Sequence, residues 1–366
     1  MTTAASLGVN AADNLVGTVL PGGWEVIEKI ERRPGDTGGN FSINYWVQDE
    51  SGRRGFCKVL NFDWLVRISP SNADPLQAIA DATAIYQFER DMARKCVGLS
   101  RVITAVADGS INLAGYVQPL VSYIIFESAD QDIRRLLNAA DAVDIAVRLR
   151  CLHNLATGLR QLHAIDIAHQ DVKPSNTLVF KPNAEGMRET KVGDLGRASA
   201  RGQAMFHDSY DIAGDPAYAP PEGLYRSVPT DFEARRVACD LYQLGSMICF
   251  AFTSATFNAL LISELHPDHN WLNWTGSYED VLPYVTDAFG RAVERMAASV
   301  PEPIRDRITK LVRELCEPDV NLRGHTTTRR LPGNPYSLDR VVTELDLLSR
   351  RAELLVGVAN GSKART

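Results

Sequence analysis

From Leu241 to Ile262 the chain carries no charged residue. The run is long enough to cross a bilayer, and as a helix it would be apolar on nearly every side, so it has to be buried. Gln243, Gly245, Ser246, Thr253, Ser254, Thr256 and Asn258 interrupt it. That polar content favours the centre of a large helical core over a lipid-facing span, and 366 residues suffice to build one. The net charge of −6 offers no broad basic surface for nucleic acid. Met1 to Gly22 has no basic stretch leading into an apolar one, and neither end carries a lipidation box, so neither export nor membrane anchoring is expected. Cys57, Cys96, Cys151, Cys239, Cys249 and Cys316 form no C-x-x-C pair. No zinc or redox motif follows, and a reduced, cytoplasmic setting is expected.

Ahead of that run the pattern changes. Trp24 to Ile27, Ser42 to Gln48 and Gly55 to Leu60 read as strands, the last two joined by an Asp-Glu-Ser-Gly hairpin signal. Asp74-Pro75 opens a helical pattern reaching about Val97, with the proline suited to a first turn. Val102 to Phe126 returns to strand character. A polar link, Glu127 to Gln131, opens a mostly helical remainder, in which Leu149, Leu152, Leu155, Ala156, Leu159 and Leu162 recur at helical spacing. Val342, Leu345, Leu348 and Leu355 mark a last amphipathic pattern.

The chemistry concentrates in His169-Gln170-Asp171-Val172-Lys173-Pro174-Ser175-Asn176 and, after an insert, Asp194-Leu195-Gly196. Read singly, His169 is a core histidine and Lys173 a surface charge. Together they form a set suited to moving a phosphoryl group from ATP to a hydroxyl. Asp171 is placed to receive the hydroxyl proton, Lys173 to neutralise charge on the γ-phosphate, and Asn176 and Asp194 to offer oxygens to Mg²⁺. His266, Asp268 and His269 also gather metal-binding residue types, but in a polar loop with Pro267.

The order H-x-D-x-K-P-x-N, then D-L-G, resembles the catalytic loop and metal motif of Ser/Thr protein kinases. The resemblance covers about residues 22–350. It implies an α+β, bilobal protein-kinase-like fold: a small β-rich N-lobe with one major helix and a larger helical C-lobe, in which the charge-free run is the central helix. The expected divisions are a flexible leader (1–21), the N-lobe (22–127), the C-lobe (128–355) and a flexible tail (356–366).

The resemblance also implies roles. Lys58, in Phe56-Cys57-Lys58-Val59, would hold the α- and β-phosphates, and Glu89 on the helix would pair with it. Gly38 and Gly39, in a degenerate Gly-rich segment, would approach the phosphates. Phe126 would narrow the back of the adenine pocket, Glu127 and Ala129 would offer backbone groups to adenine, and Leu178 would line the same pocket. Asp132 would contact ribose or substrate, or equally cap a helix. Glu222, after Pro221, would form a buried pair with Arg323, and Asp240 would brace the catalytic loop. Asp215 stands where the family has threonine, and as a carboxylate would either repel Asp171 or pair with Lys173. Gln170 replaces an arginine that in the family meets a phosphorylated activation segment. Catalysis without obligatory phosphorylation of that segment is therefore expected. Ser199, Ser209 and Tyr210 lie in it as modifiable residues, with ordinary solvated loop the better reading.

The implied activity is ATP- and Mg²⁺-dependent phosphorylation of Ser or Thr in a protein substrate, under the control of a partner protein, substrate supply or the activation segment. The eroded motifs look more like bacterial members of the superfamily. Two other readings stand beside it: a small-molecule kinase of aminoglycoside-phosphotransferase type, and a non-catalytic pseudokinase acting as a binding module.

Overall fold

The computed structural model describes residues 10–31, 42–61, 75–138, 145–182, 188–330 and 333–363. The fold has a β-rich N-terminal region with a helix, then a helical C-terminal region. The chain divides into two compact units, residues 1–99 with 103–130, and residues 100–102 with 131–366.

In the first unit, β1 (Val19–Leu20), β2 (Trp24–Lys29), β3 (Ser42–Gln48), β4 (Arg54–Leu60), β5 (Ala105–Asn112) and β6 (Leu120–Glu127) form one antiparallel sheet ordered β1-β2-β3-β4-β6-β5. The strand character of Val102 to Phe126 takes the form of a hairpin, turning at residues 113–119. Alternation along β3 and β4 sends Tyr45, Val47, Cys57 and Val59 into the core with Val121, Tyr123 and Ile125. Helix α1 (Pro75–Lys95) is tied to the hairpin by Arg94, whose Nε and Nη2 donate to Asp108 at 3.0 and 2.7 Å. Tyr86 Oη also donates to the carbonyls of Tyr123 (2.9 Å) and Gly109 (3.1 Å).

The expected flexible leader is corrected from Asn10 onward. Asn10 Oδ1 caps a short turn by accepting from Ala12 N at 3.0 Å, and Ala11, Ala12 and Leu15 are buried in the sheet's core. Tyr45 Oη donates to the Ala12 carbonyl at 2.7 Å. Small residues with few charges read as loose in sequence, but here they let the backbone lie close against the sheet. At the other end the backbone is helical to Lys363, beyond the expected start of a tail at 356.

In the second unit, β7 (Gln131–Asp132) leads into α2 (Ile133–Asn138) and α3 (Ile145–His163). β8 (Ile167–Ala168), β9 (Thr177–Val179), β10 (Thr190–Val192) and β11 (Ser199–Ala200) make two small sheets, β10-β9-β7 and β11-β8, that frame the catalytic-loop residues. The helical part comprises α4 (Ala238–Thr253), α5 (Phe257–Glu264), α6 (Tyr278–Ala297), α7 (Glu302–Leu315) and α8 (Asp339–Lys363). Val342, Leu345 and Leu348 of α8 are buried, and Arg150 of α3 holds that helix through Asp346 (3.1 Å) and Glu353 (2.9 Å).

The charge-free run forms α4 and α5. Ser254, at φ 59°, ends α4 in a left-handed cap, and the helices on either side of it meet at 87°. Among the described residues no single helix is long and apolar enough to cross a membrane. α4 is buried nearly throughout. It approaches α7 closely at Gly245, where a Cβ would lie 2.5 Å from Cys316 Sγ and 2.9 Å from Leu315 Cβ.

Candidate active site

Lys58 sits on β4 between Asn44 of β3 and Ile124 of β6, and is not a solvent-facing strand lysine. Its Nζ lies 2.5 Å from Glu89 Oε1, with the two side chains only 18% and 11% exposed. Asp91, a competing acid on α1, instead pairs with Arg90. Phe126 is buried on β6 opposite Phe56. The N–H of Glu127 donates to the Thr104 carbonyl at 3.0 Å. Gly38 and Gly39 lie outside the described residues.

In the second unit the catalytic-loop residues are held from below by α4. Asp240, wholly buried in its first turn, accepts from His169 N (2.8 Å) and Gln170 N (2.6 Å), and His163 Nε2 lies 2.8 Å from the same carboxylate. One turn further on, Gln243 accepts from Val172 N at 2.8 Å and donates to the Gln170 carbonyl at 2.9 Å. Gln170 can therefore hold φ at 60°, a conformation costly for a side-chain-bearing residue. His169 accepts from Asp171 N at Nδ1 (3.2 Å), so Nε2 carries the proton that binds the Gly193 carbonyl at 2.9 Å. This histidine connects the Asp171 backbone to the residue before Asp194.

Four groups surround the Asp171 carboxylate. Lys173 Nζ and Asn176 Nδ2 each reach Oδ2 at 3.0 Å, and Asp215 N donates to Oδ1 at 2.9 Å. Gly214 packs on it without room for a side chain. Burial pushes the Asp171 carboxyl above the ordinary carboxylate range, Lys173 pulls it back, and the charge of Asp194 adds to the rise. Asp215 pairs with Lys173 at 3.7 Å, which resolves its expected alternatives in favour of pairing.

Asn176 also donates to the Asp171 carbonyl at 2.8 Å, so its amide nitrogen is turned inward. Its oxygen, met by Ser175 Oγ at 3.4 Å, points the other way. Asp194, at φ 59°, starts the turn Leu195–Arg197 over a buried Leu195. An amide oxygen and a carboxylate suit Mg²⁺, which takes one or two protein oxygens and completes its shell with phosphate and water. Among the described residues no cluster of three or more His, Cys, Asp or Glu could hold a metal alone.

The segment after Asp194 ends in Pro221-Glu222, and Glu222 makes a two-pronged pair with Arg323, both contacts 2.7 Å. Arg323 is fully buried and also donates to the carbonyls of Glu317, Ala238 and Pro318.

Residues 110–332 match the protein kinase domain family, more than half of the chain. The chain belongs to the protein kinase domain family. Curated kinases align over shorter stretches. Human serine/threonine-protein kinase H2 is 28% identical over 178 residues, 45% of this chain and 42% of that protein. Human serine/threonine-protein kinase H1 is 33% identical over 107 residues, 29% of this chain and 23% of that protein. Rat serine/threonine-protein kinase DCLK1 is 37% identical over 71 residues, 19% and 15%. The chain therefore spans less than half the length of each of these relatives. Protein kinase domains in general use ATP and a divalent metal.

Other residues singled out in the sequence have defined partners in this kinase domain. Asp132 Oδ1 accepts from Arg135 N at 2.9 Å, so it caps α2. Leu178, on β9 opposite Lys191, packs on Gly193. Ser199 is buried, bonded to Gln170 and His207, so the solvated reading fits only Ser209 and Tyr210. His266 caps the turn Pro267–His269, and His269 stacks on Tyr284 at 3.8 Å. Gln243 is the site residue that motif reading missed. Its signal was a polar side chain three residues after Asp240 inside an apolar run, since a buried amide needs partners.

Proposed function

We propose that this protein kinase domain transfers the γ-phosphoryl group of ATP to serine or threonine hydroxyls of a protein substrate. The observation that carries the reading is the Asp171 carboxylate, buried, bonded to Lys173 and Asn176 at 3.0 Å each, and fixed from beneath by Asp240 and Gln243. A phosphoryl-transfer site works by positioning and charge stabilisation, not by covalent chemistry. Asp171 orients the acceptor hydroxyl and takes its proton. Its upward displacement brings it closer to a base working near neutrality. Lys173 faces the transferring group and offsets its developing charge. Lys58, held by Glu89, contacts the α- and β-phosphates. Asn176 and Asp194 would hold Mg²⁺, which supplies charge neutralisation at the phosphates. Lys173-Pro174 and the distant Ser/Thr kinase relatives favour serine and threonine as acceptors.

Gln170 supports a second element of the proposal. A neutral amide at this position cannot serve as the cationic partner of a phosphorylated segment, so turnover should not require that modification. A reduced, cytoplasmic setting is proposed with it, in keeping with six free cysteines, of which only Cys239 is not fully buried.

The test is incubation with labelled ATP and Mg²⁺ of wild type and Asp171→Asn, with mass spectrometry of the acceptors and a parallel small-molecule panel. Wild type is expected to label protein Ser or Thr, and the variant to fold but transfer nothing measurable. Full activity in Asp171→Asn would remove its assigned role. Label confined to small molecules would favour the aminoglycoside-kinase type, and ATP binding without turnover the pseudokinase.

A further inference from the structure

Gln170, next to Asp171, uses its whole amide. Nε2 donates to Ser199 Oγ (2.7 Å) and the Arg197 carbonyl (3.1 Å), and Oε1 accepts from Arg236 Nη1 at 2.6 Å. Arg236 belongs to the π-helical turn Glu233–Val237 that runs into α4, and is 6% exposed. Its other arm, Nη2, lies 2.5 Å from Asp208 Oδ1. Asp208 Oδ2 in turn accepts from Met205 N at 2.7 Å. The neighbouring Arg235 donates to the carbonyls of Asp208 (2.6 Å) and Tyr210 (3.2 Å). Two arginines of one turn therefore fasten residues 205–210, and one of them continues to the residue beside the candidate base. A guanidinium this deeply buried requires a counter-charge, and Asp208 provides it.

We infer that Asp208, through Arg236 and Gln170, is a built-in carboxylate anchor that positions Asp171 and orders the segment from Met205 to Asp215. An encoded side chain performs the ordering that an added phosphate can perform elsewhere. The geometry concerns positioning residues, since none of the three reaches the reacting atoms. Only the kinetic arm of the inference rests on the phosphoryl-transfer reading.

The experiment compares the phosphatase-treated full chain as wild type, Asp208→Asn, Asp208→Glu and Arg236→Lys. It reads amide hydrogen exchange over residues 205–215, steady-state kinetics with ATP varied, and thermal melting. Asp208→Asn is expected to speed exchange in that segment about tenfold, while α4 to α7 stay protected. Its kcat should fall about ten- to a hundredfold with KM for ATP little changed, and Asp208→Glu should restore both. Arg236→Lys, which has no fork to bridge Asp208 and Gln170, should lose kcat in the same way and serves if Asp208→Asn does not fold. Wild-type exchange in Asp208→Asn, or faster exchange with wild-type kcat, overturns the inference. If wild type itself transfers no phosphate, the functional reading fails and the exchange arm still decides the anchor.

Discussion

At Gly214 a Cβ would lie 2.3 Å from the Gln170 carbonyl oxygen, 2.7 Å from Asp171 Oδ1 and 2.9 Å from Asp171 Cα. The first and last of these belong to the backbone, so one added methyl must displace the Gln170–Asp171 peptide itself. Gly214→Ala is expected to lower kcat by about a hundredfold, the usual penalty for moving a reacting group by an ångström, while leaving KM for ATP nearly unchanged. Steady-state kinetics checks this, and a wild-type kcat would mean that the segment yields without disturbing Asp171. Asp171 was legible in sequence as part of its motif. The Asp208–Arg236–Gln170 contacts were not, because they join positions 28 and 66 residues apart with no spacing rule between them.

At the scale of elements, α4 is the axis of the second unit. Its first two turns carry Asp240 and Gln243 to the catalytic loop, its middle packs Gly245 on α7, and Tyr242 lies under the guanidinium of Arg323 at 5.2 Å. Glu222 and Arg323 fix the turn after the activation segment to the loop following α7. Glu222→Gln leaves a buried guanidinium without its charge partner, and is expected to cost about 3–5 kcal/mol of stability, read by denaturant unfolding. A loss below ~1 kcal/mol would mean that the carbonyls around Arg323 suffice alone. The helices and strands themselves were largely readable: Pro75 starts α1, the leucine spacing gives α3, and alternation gives β3 and β4. The bend at Ser254 was not, since left-handed caps are a habit of glycine and asparagine.

For the molecule as a whole, His207 makes stability depend on pH. It is wholly enclosed, and burial, reinforced by Arg236 and Arg197, pushes it from 6.5 down to about 4. The folded chain keeps this imidazole neutral where the unfolded chain would protonate it. Its contribution is therefore complete above pH 6.5 and lost as pH falls from there to about 4. Melting temperature should drop across that window more steeply for wild type than for His207→Gln. Parallel curves would show that carboxylates alone set the acid limb. The N-terminal stretch has a consequence of a mechanical kind. Ala12 hangs on the hydroxyl of Tyr45, Tyr45 faces Cys57 across β3 and β4, and Cys57 adjoins Lys58. Tension applied before Asn10, by a tether, a fused cargo or an unfolding motor, would run along this path to the strand that carries Lys58. The start of the described chain is thus a handle on the strand that carries Lys58.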